Sequence, residues 1–171
     1  AIADILPLTI HHTPAAKQLM NAFMPGPITL VFRKSTAVPR EVTAGLETVA
    51  VRIPSHPVGR RFVELCQTPI AAPSANLSGR PSPTSLKHVL NDLKGKVGFV
   101  IDGGYCEIGL ESTVVDVTGD EPVILRPGAV TAEDILTVCR SVRTVSEHRV
   151  ETPPSPGMKY RHYAPDAAVF P

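Results

Sequence analysis

The residues best suited to chemistry lie in a loop of small and hydroxyl-bearing side chains that follows a short apolar run. This loop reads PSANLSG (73–79) and is followed by Ser82 and Thr84. Because nothing bulky blocks the approach, the backbone N–H groups of such a loop can close around phosphate. The run matches neither GxxxxGK[ST] nor GxGxxG. From the spacing alone, a plain turn with a helix cap at Thr84 is an equally good interpretation.

A second candidate cluster, GLEST (109–113), directly precedes an apolar run. Its carboxylate and two hydroxyls suit the polar groups of an amino acid, but they also suit the capping of a strand. Arg52 and Arg126 each stand near the end of a predicted strand, Arg126 directly before Pro127 and Arg52 two residues before Pro54. Paired N–H donors of a guanidinium bind phosphate or carboxylate well, although a lone arginine at such a position is often solvated. The scattered histidines suggest no Ser/His/Asp or Cys/His arrangement, so no covalent nucleophile is indicated.

The composition is that of an ordinary globular domain. The chain has 171 residues, 43% hydrophobic and 19% charged, which predicts one domain with one core. No apolar run approaches the roughly 20 residues of a membrane span, and the first residues do not resemble a secretory signal, so a cytoplasmic protein is expected. A net charge of +1 gives no general attraction for nucleic acid. Cys66 and Cys139 fall on apolar faces of predicted helices, where core packing is expected.

Apolar periodicity predicts helices alternating with strands. Helices are expected after Thr13, within SHPVGRRFVELCQ (55–67), over residues 86–93 and from the capping-box-like Thr131. Strands are expected over residues 28–34, 47–53, 69–72, 97–102, 113–117 and 123–126, the last two forming a possible hairpin. This order predicts an α/β fold with an open, twisted, mixed sheet flanked by helices. Residues 146–171 are proline-rich and irregular, which is typical of a linker.

Five segments together resemble the YrdC-domain family of threonylcarbamoyl-AMP synthases, in that family's order. They are PGPITLVF (25–32), ETVAVRIPSHP (47–57), PIAAPSANLSGRPSPT (69–84), ESTVVD (111–116) and ILRPGAVT (124–131). A sixth, SPGMKYRHYAP (155–165), resembles the linker of longer members that carry a second, C-terminal domain. The resemblance therefore implies a YrdC-like ATP- and threonine-binding domain over residues 1–145, followed by a linker over 146–171 toward a further domain.

What the resemblance implies is an L-threonylcarbamoyladenylate synthase. Such an enzyme converts ATP, L-threonine and bicarbonate to threonylcarbamoyl-AMP and pyrophosphate, and its product reaches tRNA through downstream threonylcarbamoyl-transferase proteins. Magnesium is expected with ATP, although no carboxylate cluster identifies its ligands. ATP contacts are expected from Ser74, Ser82, Asn76, Arg52, Thr29, His162 and Arg126. Threonine contacts are expected from Ala72, Ser112 and His11. Arg126 is the candidate catalytic residue, because it can neutralise charge that develops on the phosphates.

The chain also departs from the family pattern. Members begin with a strand, a PTETVYGL-like motif and a KxRP motif, none of which is in this chain. The N-terminal portion is therefore expected to be absent, which leaves the activity of this polypeptide open. One alternative is a carbamoyl-adenylate-forming YrdC domain of a maturation protein, which the linker motif argues against. Another is a non-catalytic RNA-binding module, which the near-neutral charge and the 5% aromatic content disfavour.

The linker is unusual for a passive tether. Met158, Tyr160, His162 and Tyr163 are bulky groups between two prolines, whereas flexible linkers are rich in Gly and Ser. We expect the segment to pack over the nucleotide site as a lid, with Tyr160 or His162 near the ATP, and so to exclude water from a carbamate and a mixed anhydride. An extended spacer is the alternative.

Overall fold

The computed structural model describes residues 1–145. Two 3₁₀ turns, Ile2–Asp4 and Leu6–Leu8, come first, and strands and helices then alternate. The α-helices are α1 (Pro14–Phe23), α2 (Pro57–Cys66), α3 (Leu86–Leu93) and α4 (Ala132–Leu136). The strands are β1 (Thr9–Ile10), β2 (Ile28–Lys34), β3 (Thr48–Val51), β4 (Thr113–Asp116), β5 (Val123–Arg126) and β6 (Arg143–Thr144). None of these helices is long and apolar enough to cross a membrane.

Two helix starts follow from local hydrogen bonding at threonine caps. At α1, the Thr13 hydroxyl accepts a hydrogen bond of 3.1 Å from the Ala16 N–H, and Pro14 occupies the first helical position. At α4, the Thr131 hydroxyl accepts from the Asp134 N–H, while the Asp134 carboxylate accepts from the Thr131 N–H. This reciprocal pair is a capping box. Both predicted starts are confirmed.

The described strands form one mixed sheet around β2. Strand β2 pairs antiparallel with β1 and with β3, and parallel with β4. Strands β4 and β5 form the predicted hairpin, and β6 adds to β5 in parallel. An open mixed α/β sheet with helices is therefore confirmed. Because β2 and β4 run in the same direction, their starts lie side by side, and the end of the antiparallel β5 lies at the same edge of the sheet.

One face of this sheet carries the hydrophobic core. Leu30 and Phe32 of β2 and Val115 of β4 are fully buried there against Leu19 of α1 and Ile135 of α4. Cys139 also belongs to this cluster, as predicted, and burial raises the pKa of its thiol. The prediction for Cys66 was wrong, because its side chain is exposed at the end of α2. No residue of α2 is buried in the described structure, so the apolar stripe of that helix does not meet the core.

Two predicted strands do not form. Residues 69–72 and 97–102 lie in irregular chain, and their apolar side chains are exposed, including Phe99 at 76%. A strand needs a hydrogen-bonded neighbour, and neither run pairs with another strand among residues 1–145. Apolar runs alone were therefore insufficient evidence for these two strands.

Thr113 joins the start of β4 to the segment that follows β5. Its hydroxyl donates a hydrogen bond of 2.7 Å to the Val130 carbonyl and accepts one of 2.9 Å from the Val130 N–H. The Thr113 side chain is fully buried, so water cannot replace either bond.

We expect Thr113→Val to lower the free energy of unfolding by roughly 2–5 kcal/mol, because it leaves two buried backbone groups of Val130 without partners at a similar side-chain volume. Urea denaturation of wild type and variant measures the difference. Thr113→Ser, which keeps the hydroxyl, is the matched control and should lose much less stability. Equal losses for the two variants would contradict the role of the hydroxyl.

Candidate functional site

Polar side chains converge at the edge where β2 and β4 begin. The register pairs Thr29 with Val114, and the Thr29 hydroxyl lies 2.7 Å from the Ser112 hydroxyl. Either hydroxyl can be the donor. Ser112 is buried, with 7% of its surface exposed, so this pair is held in a defined position.

Arg126 closes this edge from the end of β5. Its Nε and Nη2 groups donate to the Ser112 carbonyl at 3.2 and 2.7 Å, and Nη2 also donates to the Ser112 hydroxyl at 3.2 Å. Nη1 forms an ion pair with the Glu111 carboxylate. The guanidinium thus has partners on two sides while a third of its side chain remains exposed, at 33%. A fixed and accessible cation of this kind suits a phosphate or carboxylate ligand.

Ser82 brings the hydroxyl-rich loop to the same place. Its hydroxyl donates a hydrogen bond of 2.7 Å to Oε1 of Glu111. Thr29, Ser82, Ser112 and Arg126 are therefore linked, through Glu111, into one hydrogen-bonded network, which we call the strand-edge network. These four residues were predicted as ATP or threonine contacts, and they come from separate parts of the sequence. Glu111 belongs to the candidate cluster GLEST (109–113), but its link to Ser82 and Arg126 was not predicted.

A β-bulge sets the direction of Arg126. Val115 pairs with Ile124, but Val114 pairs with Arg126, so Leu125 is an extra residue in β5. Ile124 points into the hydrophobic core. Simple alternation would place Arg126 on the same face as Ile124, since side chains two apart share a face. The bulge instead turns Arg126 to the face of Thr29 and Val114, away from the core.

Gly128 allows the turn after β5 to lie directly against the ESTVVD segment. A Cβ atom at this position would stand 2.4 Å from the Glu111 carbonyl oxygen and 2.5 Å from the Thr113 nitrogen. Both are backbone atoms that cannot move aside, so only glycine fits here. The sequence signal for it is the glycine of the RPG pattern (126–128), since glycine allows a close approach of backbone.

The loop before Ser82 is anchored by Asp92 of α3. Oδ2 of Asp92 accepts a hydrogen bond of 3.1 Å from the Leu77 N–H, and Oδ1 accepts one of 2.5 Å from Arg80. The Leu77 N–H, assisted by the Arg80 guanidinium, holds the pKa of Asp92 below its ordinary value against the opposing effect of burial. Asp92 was not predicted from the sequence.

Asn76 serves the internal structure of the same loop. Its side-chain amide donates to the carbonyls of Leu77 and Arg80, both at 2.9 Å. Its Oδ1 atom is buried and accepts no hydrogen bond in the described part of the chain. That oxygen is therefore available as an acceptor within the loop.

The remaining predicted residues lie outside the strand-edge network. Extending the pairing of Leu30 with Val51 by one step places Arg52 beside Thr29, at the same sheet edge, with its side chain exposed. Ala72 and Ser74 are exposed and make no hydrogen bond to the network within residues 1–145. His11 is exposed, with a φ of 58°, and follows β1, which pairs with the far end of β2.

His162 and Tyr160, with the predicted lid, lie outside the described residues. Among residues 1–145, no three His, Cys, Asp or Glu side chains are grouped so as to hold a metal ion. The strand-edge network therefore offers hydroxyls, one cation and one carboxylate, but no cluster of metal ligands.

Two family models match the chain. The model described as "Telomere recombination", for the Sua5, YciO and YrdC proteins, matches residues 1–128. The model described as "Threonylcarbamoyl-AMP synthase, C-terminal domain" matches residues 130–170. The two matches together cover nearly the whole chain.

Individual relatives agree with these matches. Two curated relatives named threonylcarbamoyl-AMP synthase are 53% identical over 158 residues in Pyrococcus abyssi and 49% identical over 175 residues in Bacillus subtilis. These alignments cover 91% and 98% of this chain but only 46% and 50% of the relatives, so the chain spans about half their length. The crystal structure of P. abyssi Sua5 complexed with L-threonine is similar with a TM-score of 0.92 at 48% identity, over 98% of this chain and 50% of that one.

The hydrogen bonds that Asp92 accepts from Leu77 and Arg80 depend on the charge of its carboxylate. Because its folded pKa is lowered, the anchor is intact above the ordinary aspartate pKa near 3.9 and is lost as the pH falls through the lower folded value. We expect Asp92→Ala to reduce hydrogen-exchange protection of the Leu77 amide at neutral pH by roughly fivefold or more, since its charged acceptor is gone. Asn91→Ala, at an exposed position of the same helix, is the control. Unchanged protection in Asp92→Ala would contradict the anchor.

Proposed function

The chain belongs to the Sua5/YciO/YrdC family, and from this we propose that it contributes the catalytic domain of an L-threonylcarbamoyladenylate synthase. The proposed substrates are ATP, L-threonine and bicarbonate, and the products are threonylcarbamoyl-AMP and pyrophosphate. The observation that carries the proposal is the strand-edge network, in which an accessible guanidinium and three hydroxyls converge. The names of the curated relatives support this reaction over the carbamoyl-adenylate and RNA-binding alternatives.

The proposed chemistry needs no nucleophile from the protein. The threonine amine bonds to the carbon of bicarbonate with loss of water, which gives a carbamate. A carbamate oxygen then attacks the α-phosphorus of ATP, the bond to the β-phosphate oxygen breaks, and pyrophosphate leaves. The protein has to hold two anions together and to neutralise charge that develops on the phosphates. This requirement fits a site that contains hydroxyls and an arginine but no Ser/His/Asp arrangement.

We assign the nucleotide to the side of the network that includes the hydroxyl-rich loop. Ser82 and Arg126 are the proposed ATP contacts supported by the network, with Arg126 as the catalytic residue that neutralises the phosphates. Arg126 fits this role because its guanidinium is fixed by Ser112 and partly exposed. The further proposed ATP contacts are Thr29, Arg52, Ser74, Asn76 and His162.

We assign threonine to the side that includes Ser112. The Ser112 hydroxyl accepts a hydrogen bond from Arg126 and lies within hydrogen-bond distance of Thr29, so it stands between a cation and another hydroxyl. Such a position suits the carboxylate or hydroxyl of an amino acid. Ala72 and His11 are the other proposed threonine contacts.

The chain divides, in this proposal, into a binding domain and a linker. Residues 1–145 form the binding domain, which the pairing of β6 with β5 supports, because it keeps the described chain in one sheet up to Thr144. Residues 146–171 are the proposed linker. We propose that magnesium accompanies ATP. The product passes, in the cytoplasm, to proteins that modify tRNA.

Pyrophosphate release by the complete polypeptide tests the reaction. Release should require ATP, threonine and bicarbonate together, and omission of any one should abolish it. Release that persists without threonine, or that requires carbamoyl phosphate, would contradict the proposal.

Arg126→Ala should reduce formation of the adenylate at least tenfold, because one charge-assisted contact to phosphate contributes about 1.5–3 kcal/mol. The measurement is steady-state pyrophosphate release by the complete polypeptide. Arg140→Ala, which removes an exposed arginine outside the network, is the control and should keep wild-type turnover. Wild-type turnover in Arg126→Ala would contradict the catalytic assignment.

Ser112→Ala should raise the KM for threonine more than the KM for ATP. The reason is that the hydroxyl it removes is assigned to the amino acid, whereas the backbone carbonyl that holds Arg126 remains. Both constants follow from the same assay with one substrate varied at a time, and Ser141→Ala is the control at an exposed position. Equal increases for the two substrates would show that the site is divided differently.

A further inference from the structure

Glu111 joins two parts of the site that have no direct hydrogen bond to each other among residues 1–145. One carboxylate oxygen accepts from the Ser82 hydroxyl at 2.7 Å, and the other pairs with Nη1 of Arg126. We propose that Glu111 is a positioning residue, which fixes the hydroxyl-rich loop and the arginine relative to each other before the nucleotide binds. This inference rests on the proposed function and assigns Glu111 no contact with a substrate.

Glu111 holds the part of the Arg126 guanidinium that Ser112 does not contact. The Ser112 carbonyl holds only the Nε and Nη2 side of Arg126, so Nη1 depends on Glu111. A long side chain such as arginine loses much rotamer freedom when it is fixed. With a second anchor, this entropy is lost when the protein folds, so it does not oppose ligand binding. The Glu111 side chain is only 25% exposed, so the contact is partly shielded from solvent.

The arrangement also indicates where a phosphate would approach. All three nitrogens of Arg126 are engaged by Ser112 or Glu111 within residues 1–145, and Nη1 is the nitrogen that Glu111 holds. Ser82 is held beside it by the same carboxylate. A phosphate bound there would meet Ser82 and Arg126 together, and it would share Arg126 with the Glu111 carboxylate. The position of both groups thus depends on one carboxylate.

Equilibrium binding of ATP to the complete polypeptide, measured by calorimetry, tests this role. Glu111→Gln keeps the side-chain volume but loses the charge, and we expect it to weaken ATP binding at least fivefold. Because Glu111 is proposed to act through Arg126, the same change in an Arg126→Lys background should weaken binding less than twofold. Glu111→Asp keeps the charge but is one methylene shorter, so it should fail to reach both partners and should also weaken binding. Glu107→Gln, at an exposed position in the same segment, is the matched control and should bind ATP as the wild type does.

The outcomes separate the two proposals. If the unmodified protein does not bind ATP, the proposed function fails and this inference fails with it. If the wild type binds ATP and Glu111→Gln binds it equally well, only the positioning role is overturned. Additive losses in the Arg126→Lys background, or wild-type affinity in Glu111→Asp, would also overturn it. Should Glu111→Gln not fold, the Glu111→Asp variant carries the same test.

Discussion

The parallel pairing of β2 with β4 is the constraint on which both the core and the site depend. One register sets Leu30 opposite Val115 in the core and Thr29 opposite Val114 on the other face. A slip of one residue would exchange the two faces, so the core side chains would leave the hydrophobic cluster and the two hydroxyls would separate. Burial of the core face therefore stabilises the geometry of the site, although no core side chain belongs to it.

Much of the fold could be predicted from the sequence because its signals are local. Threonine caps, prolines and apolar periodicity predict the helices, and the turn residues TGDEP (118–122) between two apolar runs predict the hairpin of β4 and β5. The failures at residues 69–72 and 97–102 have the opposite cause, since an apolar run becomes a strand only when another strand supplies its hydrogen bonds. The prediction that Cys66 packs in the core failed for a similar reason. Helical periodicity shows that a helix has an apolar face, but not whether that face packs against the core.

The candidate site was predicted in part, and mainly through resemblance. Spacing alone left the loop at 73–79 and the cluster at 109–113 open to a plain structural interpretation, whereas the resemblance grouped Ser82, Ser112 and Arg126. It assigned no role to Glu111 or Asp92, whose partners lie far away in the sequence. Local spacing cannot show such pairings, because a carboxylate on a loop or a short helix is usually solvated.

The bulge at Leu125 makes the site depend on the register of β5. Regular pairing of the same residues would set Leu125 opposite Val114 and turn Arg126 to the face of Ile124 and the core, where the desolvation of its guanidinium would oppose folding. The charge of Arg126 therefore disfavours the regular register and so favours the bulged one. Substitution of Leu125 by another apolar residue would leave this preference unchanged. The residue proposed to act on the phosphates thus also selects the strand geometry that positions it.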